Sequence, residues 1–350
     1  MKAVKTLNLF MAFIFIFLWV PRVGLCEELI ILSGRKEPLI QPVIELFESQ
    51  TGIHTTIKSG NSTALGQQIL QELPNPSADV YIAKESGALE YLRLKGAFEI
   101  YQSPETELIP QRFKARDGSW IGVSGRSRVI IYNTTLINYQ DVPKTLDELT
   151  DQKWNDKIAA VDASNESFVS WVSALRLKLG EAKTEEFLRA LKNNKIHLLG
   201  ESHTDVRKAV GRGEFPLGLI NHYYYHLQKN EVEPEMRSVG IVYLDQGEGG
   251  RGELVNVSGA AIIKGAKNLV NAQKFIDFLV SPEAQKIFAD VNFEYPLRPN
   301  IPTHPQVLEV LECQQLSALE CIKVMDVSLD ELGAELEKTQ ELLERVEWHP

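Results

Sequence analysis

Residues 217–226 read Leu-Gly-Leu-Ile-Asn-His-Tyr-Tyr-Tyr-His, an apolar run of strand length that passes into three consecutive tyrosines flanked by histidines. In an extended strand those tyrosines would alternate between the two faces of a sheet, and each buried hydroxyl would need its own partner. A strand end that opens a helix would instead let neighbouring phenols converge at the mouth of a cleft. Such a strand-to-helix step is the unit of an α/β fold, whose ligands bind at the carboxyl ends of strands.

The same alternation extends to both ends of the chain. Apolar runs of strand length cover 29–32, 79–83, 129–132, 158–161, 239–243 and 255–263. Amphipathic segments of helix length lie between them at 37–50, 63–73, 168–179, 184–193, 204–210, 269–279 and 282–290, the first with Leu39, Val43, Ile44 and Phe47 on one stripe. This pattern predicts α/β architecture with mostly parallel, doubly covered sheets. Capping residues agree: Pro38 suits a first helical turn, Ser281-Pro282-Glu283 reads as an N-cap followed by proline, and Thr204-Asp205 opens another helix. Leu329, Leu332, Leu336, Leu342 and Leu343 fall near helical spacing in 328–346, predicting a terminal helix packed on one lobe. That run is too short for a coiled coil of several heptads.

Lys2 and Lys5, an apolar stretch over 10–20 and small residues before Glu27 have the order of a secretory signal occupying 1–26. The stretch is shorter than the ~20 residues of a spanning helix. A lipid anchor on Cys26 is the competing reading, disfavoured because Leu25 stands where a lipobox wants a small residue. Loss of that segment removes Lys2, Lys5 and Arg22 but no acid, so the remainder is three charges more negative than the full chain's −10. Such an acidic chain is a poor partner for nucleic acid or anionic membrane. The remaining ~324 residues exceed what one hydrophobic core usually holds, which predicts two lobes. Cys313 and Cys321, eight apart, are either a small disulfide or two free thiols. Nothing resembles Gly-x-Ser-x-Gly, His-Glu-x-x-His, a Walker lysine motif or a paired-cysteine zinc site, so no enzyme is expected.

Three stretches carry binding chemistry. Phenolate is a hard oxygen donor, and Fe(III) is the common hard cation able to displace a phenol proton near neutral pH. The residues alone leave open an aromatic interface or a sugar-stacking platform. In Ser124-Gly125-Arg126-Ser127-Arg128, two guanidiniums on one side of a strand offer bidentate donors to an oxyanion. Asp162-Ala163-Ser164-Asn165-Glu166-Ser167 precedes a helix and aims N–H groups at an anion. The acid- and glycine-rich 245–253 lacks the order of a calcium or phosphate loop and reads as mobile surface.

Gly218-Leu219-Ile220-Asn221-His222-Tyr223-Tyr224 resembles the tyrosine-pair motif of the periplasmic ferric-ion-binding proteins, a group of type II periplasmic binding proteins. Ser33-Gly34-Arg35-Lys36-Glu37, Ser77-Ala78-Asp79-Val80-Tyr81, 122–129 and Phe293-Glu294-Tyr295-Pro296-Leu297 follow the same family's order. The resemblance covers nearly the whole chain after residue 26.

It implies a two-lobed fold with hinge crossovers near Arg126 and Glu253 and a C-terminal helix. One lobe would take 27–125 plus 254–303, the other 126–253 plus 304–350. It further implies Fe(III) as transported ligand on Tyr223 and Tyr224, with a synergistic carbonate or phosphate on Arg126, Ser164 and Asn165. The expected partner is an inner-membrane ABC transporter permease, the location the periplasm, and the state a monomer. Tyr225 and His222 would stand behind the ligands, as would His226.

The sequence departs from the family at three points. The N-lobe histidine is missing, Gly34-Arg35-Lys36 standing in its place; the 162–167 loop lacks the extra tyrosine of some members; and Lys84 occupies the place of a ligating glutamate, with Glu85 one residue on. Glu85 could still ligate from a loop, and Arg35 could support the anion or pair with Glu85. The alternative function is a binding protein for an oxyanion, an organophosphonate or another small organic solute. A receptor-binding sensor is a further one.

Overall fold

The computed structural model describes residues 28–349; the signal reading for 1–26 and the Cys26 alternative lie outside them. Nine strands and twelve α-helices occur among the described residues. The first part runs β1 (Glu28–Ser33), α1 (Gln41–Thr51), β2 (His54–Ser59), α2 (Ser62–Glu72), β3 (Val80–Ala83), α3 (Ser86–Leu94), α4 (Pro104–Glu107) and β4 (Ile121–Asn133). The middle runs β5 (Ile158–Ala160), α5 (Glu166–Leu179), α6 (Glu181–Asn193), β6 (His197–Leu198), α7 (His203–Gly211), β7 (Leu217–Asn221), α8 (His222–Lys229) and β8 (Val239–Val242). Last come β9 (Val255–Ile262), α9 (Leu269–Leu279), α10 (Pro282–Asn292), α11 (Pro305–Val310) and α12 (Leu329–Arg345).

The strands lie in the order β2-β1-β3-β9-β4-β7-β5-β6, with β8 also on β4. β4 is the seam: 121–127 pair with β9, and 128–133 with β7 and β8. Its thirteen residues are all buried. The sheet is less parallel than expected, because β4 runs antiparallel to β9, β7 and β8, and β9 antiparallel to β3. Strands joined by helical crossovers remain parallel, as β1 with β2 across α1 and β5 with β7 across α5, α6 and α7 illustrate; the long excursions before β4 and β9 free those two strands to reverse.

Among the elements that escape the hydrophobic pattern, β2 and α3 do so for plain physical reasons. β2, His-Thr-Thr-Ile-Lys-Ser, is a mostly exposed edge strand with little apolar content. α3 is short and is started by a charged residue, Glu85, whose carboxylate accepts the Gly87 and Ala88 N–H groups. The loop 245–253 is also pinned rather than mobile at its ends. Glu253 is buried and accepts the Leu244 N–H at 2.7 Å, while Asp245 accepts that of Leu146 at 3.2 Å. Cys313 and Cys321 close a disulfide.

The terminal helix packs on both α3 and α5. Gly333 makes the approach to α3 feasible, since a Cβ there would run into Glu90 and the Tyr91 backbone. Trp348, fully buried, then anchors the chain end: its ring stacks on Phe168 at 5.1 Å and its indole N–H donates to Val161 O at 3.1 Å. We expect Trp348→Ala to cost about 3–5 kcal/mol, read as a lowered urea midpoint with unchanged slope.

Candidate functional site

Tyr223 and Tyr224 occupy the first turn of α8, where β7 ends. Pairing of Asn221 with Arg128 sets that turn beside the seam of β4. The Ser127 N–H donates to His222 Nδ1 at 3.3 Å, and His222 Nε2–H donates to Phe293 O at 2.8 Å, which fixes the tautomer. With its ring stacked on Tyr295 at 4.0 Å, His222 ties the tyrosine turn to 293–295 from behind. Burial pushes its pKa down to about 3, so it stays neutral.

The two phenol rings lie 4.3 Å apart, centroid to centroid, inclined by 30°. Both line a cavity of about 90 Å³, with Arg35, Lys36, Lys84, Arg126, Ser164, Asn165, Glu166, His203 and Glu294 also in its wall. Successive helical residues turn by ~100°, so adjacent phenols can share a cavity while the next residue swings away. Tyr225 does so. It does not line this cavity, and its ring packs against His226 at 5.0 Å. Burial, together with the neighbouring Tyr223, holds the Tyr224 phenol well above its ordinary pKa; Arg126 partly opposes this.

Three helix starts meet at the wall, those of α5, α7 and α8, with N-caps Asn165, Ser202 and Asn221. Their positive ends favour negative charge inside. Asn165 and Ser164 are brought to the cavity as the loop pattern led us to expect, Ser164 held by Asp162 and Asn165 capping Phe168 N–H. Arg126 also reaches it, and its Nε and Nη2 are buried with no hydrogen-bond partner among the described residues. Unpaired guanidinium N–H groups against a cavity suit an oxyanion.

Glu85 is not brought to the tyrosines. Two residues past β3 and one past Lys84, it turns to the other side of the chain, caps α3 and accepts a hydrogen bond from Ser170. There it faces a neighbouring cavity of about 370 Å³, while Lys84 takes the side facing the tyrosines. Arg35 likewise pairs with Glu294, at 2.6 Å, and not with Glu85. Arg126 reaches the same Glu294 carboxylate at 3.4 Å. Glu294 thus aims two arginines at the cavity, a role invisible in sequence because the partners lie 259 and 168 residues away.

His203 is a second residue that sequence reasoning did not single out. It lies 5.2 Å from the Tyr224 ring, and its Nε2 accepts from Arg128 Nη1 at 2.9 Å. The proton therefore sits on Nδ1, buried without a partner among the described residues. Burial, then Arg128 and Arg126, hold its pKa well below normal. Arg128 itself has no carboxylate partner among the described residues; it donates to His203 and Ser167 and packs over Phe168 and Trp171. His226 is buried against Phe293, away from the cavity.

A wall with two adjacent phenols, several cations and partnerless N–H donors can hold a hard cation together with a small oxyanion. Comparison with known proteins adds that residues 75–317 match the model of a family described as bacterial extracellular solute-binding protein. The chain is 30% identical over 327 residues to iron uptake protein A1 of Synechocystis sp., covering 92% of this chain and 88% of that one. It is 27% identical over 307 residues to the Fe(3+)-binding periplasmic protein of Serratia marcescens, covering 85% and 89%. The structure of iron-bound HitA from Pseudomonas aeruginosa superposes with a TM-score of 0.80 at 28% identity, covering 91% of this chain and 99% of that one.

Proposed function

The chain belongs to the bacterial extracellular solute-binding proteins, and we propose that it captures ferric ion on the Tyr223 and Tyr224 phenolates and delivers it to an ABC transporter permease in the inner membrane. The observation that carries this reading is the pair of adjacent phenols in one small cavity with Arg126, whose Nε and Nη2 have no hydrogen-bond partner among the described residues. Fe(III) accepts the phenolates as the protons leave, and carbonate or phosphate on Arg126, Ser164, Asn165 and the start of α5 fills further coordination positions. Arg35 supports that anion indirectly by sharing Glu294 with Arg126.

Closure of two lobes around the ion is the expected motion, with 27–125 plus 254–303 moving against 126–253 plus 304–350. The switch of β4 from β9 to β7 and β8 supports a hinge next to Arg126. The periplasm is the site of action, in keeping with the named location of the Serratia relative. Equilibrium dialysis of metal-stripped protein against ferric citrate, ferrous ion, zinc and phosphate tests the reading. Retention of one ferric equivalent is expected. Retention of phosphate or an organophosphonate with no ferric ion would transfer the site to the oxyanion class.

A further inference from the structure

The cavity of the two tyrosines has three carboxylates in its wall, Glu166, Glu201 and Glu294. They are not equivalent. Glu294 is neutralised by two guanidiniums, Arg35 at 2.6 Å and Arg126 at 3.4 Å, so its oxygens are committed. Glu201 is exposed. The Glu166 side chain is only 8% exposed, and its Oε2 is buried with no hydrogen-bond partner among the described residues. Its other oxygen accepts the Thr63 N–H at 3.2 Å, and the nearest cation, Lys84 Nζ, stands 3.6 Å from Oε2, outside hydrogen-bond range. A buried carboxylate oxygen without a hydrogen-bond donor carries a desolvation cost that the single ion pair with Lys84 offsets only in part.

We propose that Glu166 Oε2 is the third protein ligand to the ferric ion, supplying the hard oxygen that neither Glu85 nor a histidine near the first strand provides. The inference rests on the ferric reading above. Two phenolates and one carboxylate bring three negative charges to a trivalent cation. Glu166 reaches the cavity from the first residue of α5, the helix whose N-cap, Asn165, also borders it. The Thr63 N–H holds Oε1 from the start of α2, which leaves Oε2, beside Lys84 Nζ, as the oxygen available to the ion. The same residue therefore ties α2 to α5 when the ion is in place.

The test is a ferric titration of metal-stripped full-length chain with ferric nitrilotriacetate, following the visible phenolate-to-iron band in wild type, Glu166→Gln and Glu166→Asp, with thermal melts to show that each variant is folded. Glu166→Gln should weaken ferric binding at least tenfold and move the band to longer wavelength, because a neutral donor leaves the iron more electron-poor. Glu166→Asp should keep the band close to the wild-type position. Weaker binding with an unmoved band in Glu166→Gln would overturn the assignment and leave Glu166 as a tie between α2 and α5. Unchanged affinity and band would also overturn it. Absence of any band in wild type would instead remove the ferric reading, and this ligand with it.

Discussion

The double replacement Tyr223→Phe, Tyr224→Phe is expected to lose tight ferric binding, by at least about a thousandfold, in a protein that folds normally. Loss of a residue that merely orients a metal ligand costs roughly 10–100-fold, so losing two ligands outright costs more. The fold should survive because each change removes one hydroxyl and keeps the ring. Packing of the pair, 4.3 Å apart and against His203 at 5.2 Å, is retained. The stability change should stay within about 1–2 kcal/mol, the range for a single buried hydrogen-bonding group. Competition against a ferric chelator measures the affinity, and thermal melts measure the fold. Near-wild-type affinity in a folded double mutant would remove the tyrosines from the site.

The second large effect is on pH. Burial and the adjacent Tyr223 keep the Tyr224 phenol protonated well above its usual range, so iron must displace that proton to bind. A ligand that releases protons binds more weakly as pH falls, by about tenfold per unit for each proton released. With two phenols ligating, ferric affinity should fall up to ~100-fold per pH unit on acidification from neutrality. The sign is fixed: acid favours release and alkali favours capture. Chelator competition between pH 7.5 and 5.5 reads the slope, and a flat profile would exclude phenolate ligation. Release by acid needs no redox step, though reduction to the softer Fe(II) would weaken the same hard-donor site.

Much of the fold was legible before any coordinates, because strand and helix periodicities mark most buried elements. The readable parts of β4 were Val129 to Tyr132; the half carrying Gly122, Ser124 and Gly125 was not, since small and polar residues hide a strand buried at the seam. Of the residues that line the cavity, Tyr223, Tyr224, Arg126, Ser164 and Asn165 are legible as candidates because each sits beside a local signal, a strand end, a strand start or a helix cap. Glu294 and His203 were not, since what places them is contact across the fold with Arg35, Arg126 and Arg128. Glu85 was misplaced by a single residue of register: Lys84 turns to the cavity and Glu85 to the opposite side, where a carboxylate is needed to start α3. Glu294, shared by Arg35 and Arg126, makes the sort of long-range pairing that periodicity never reports.

The most direct measurement is the visible spectrum of metal-stripped wild-type protein during titration with ferric nitrilotriacetate. A phenolate-to-iron charge-transfer band that saturates at one equivalent is the predicted result. Absence of a saturable band, with the protein folded, would contradict the tyrosine clamp and with it the ferric function.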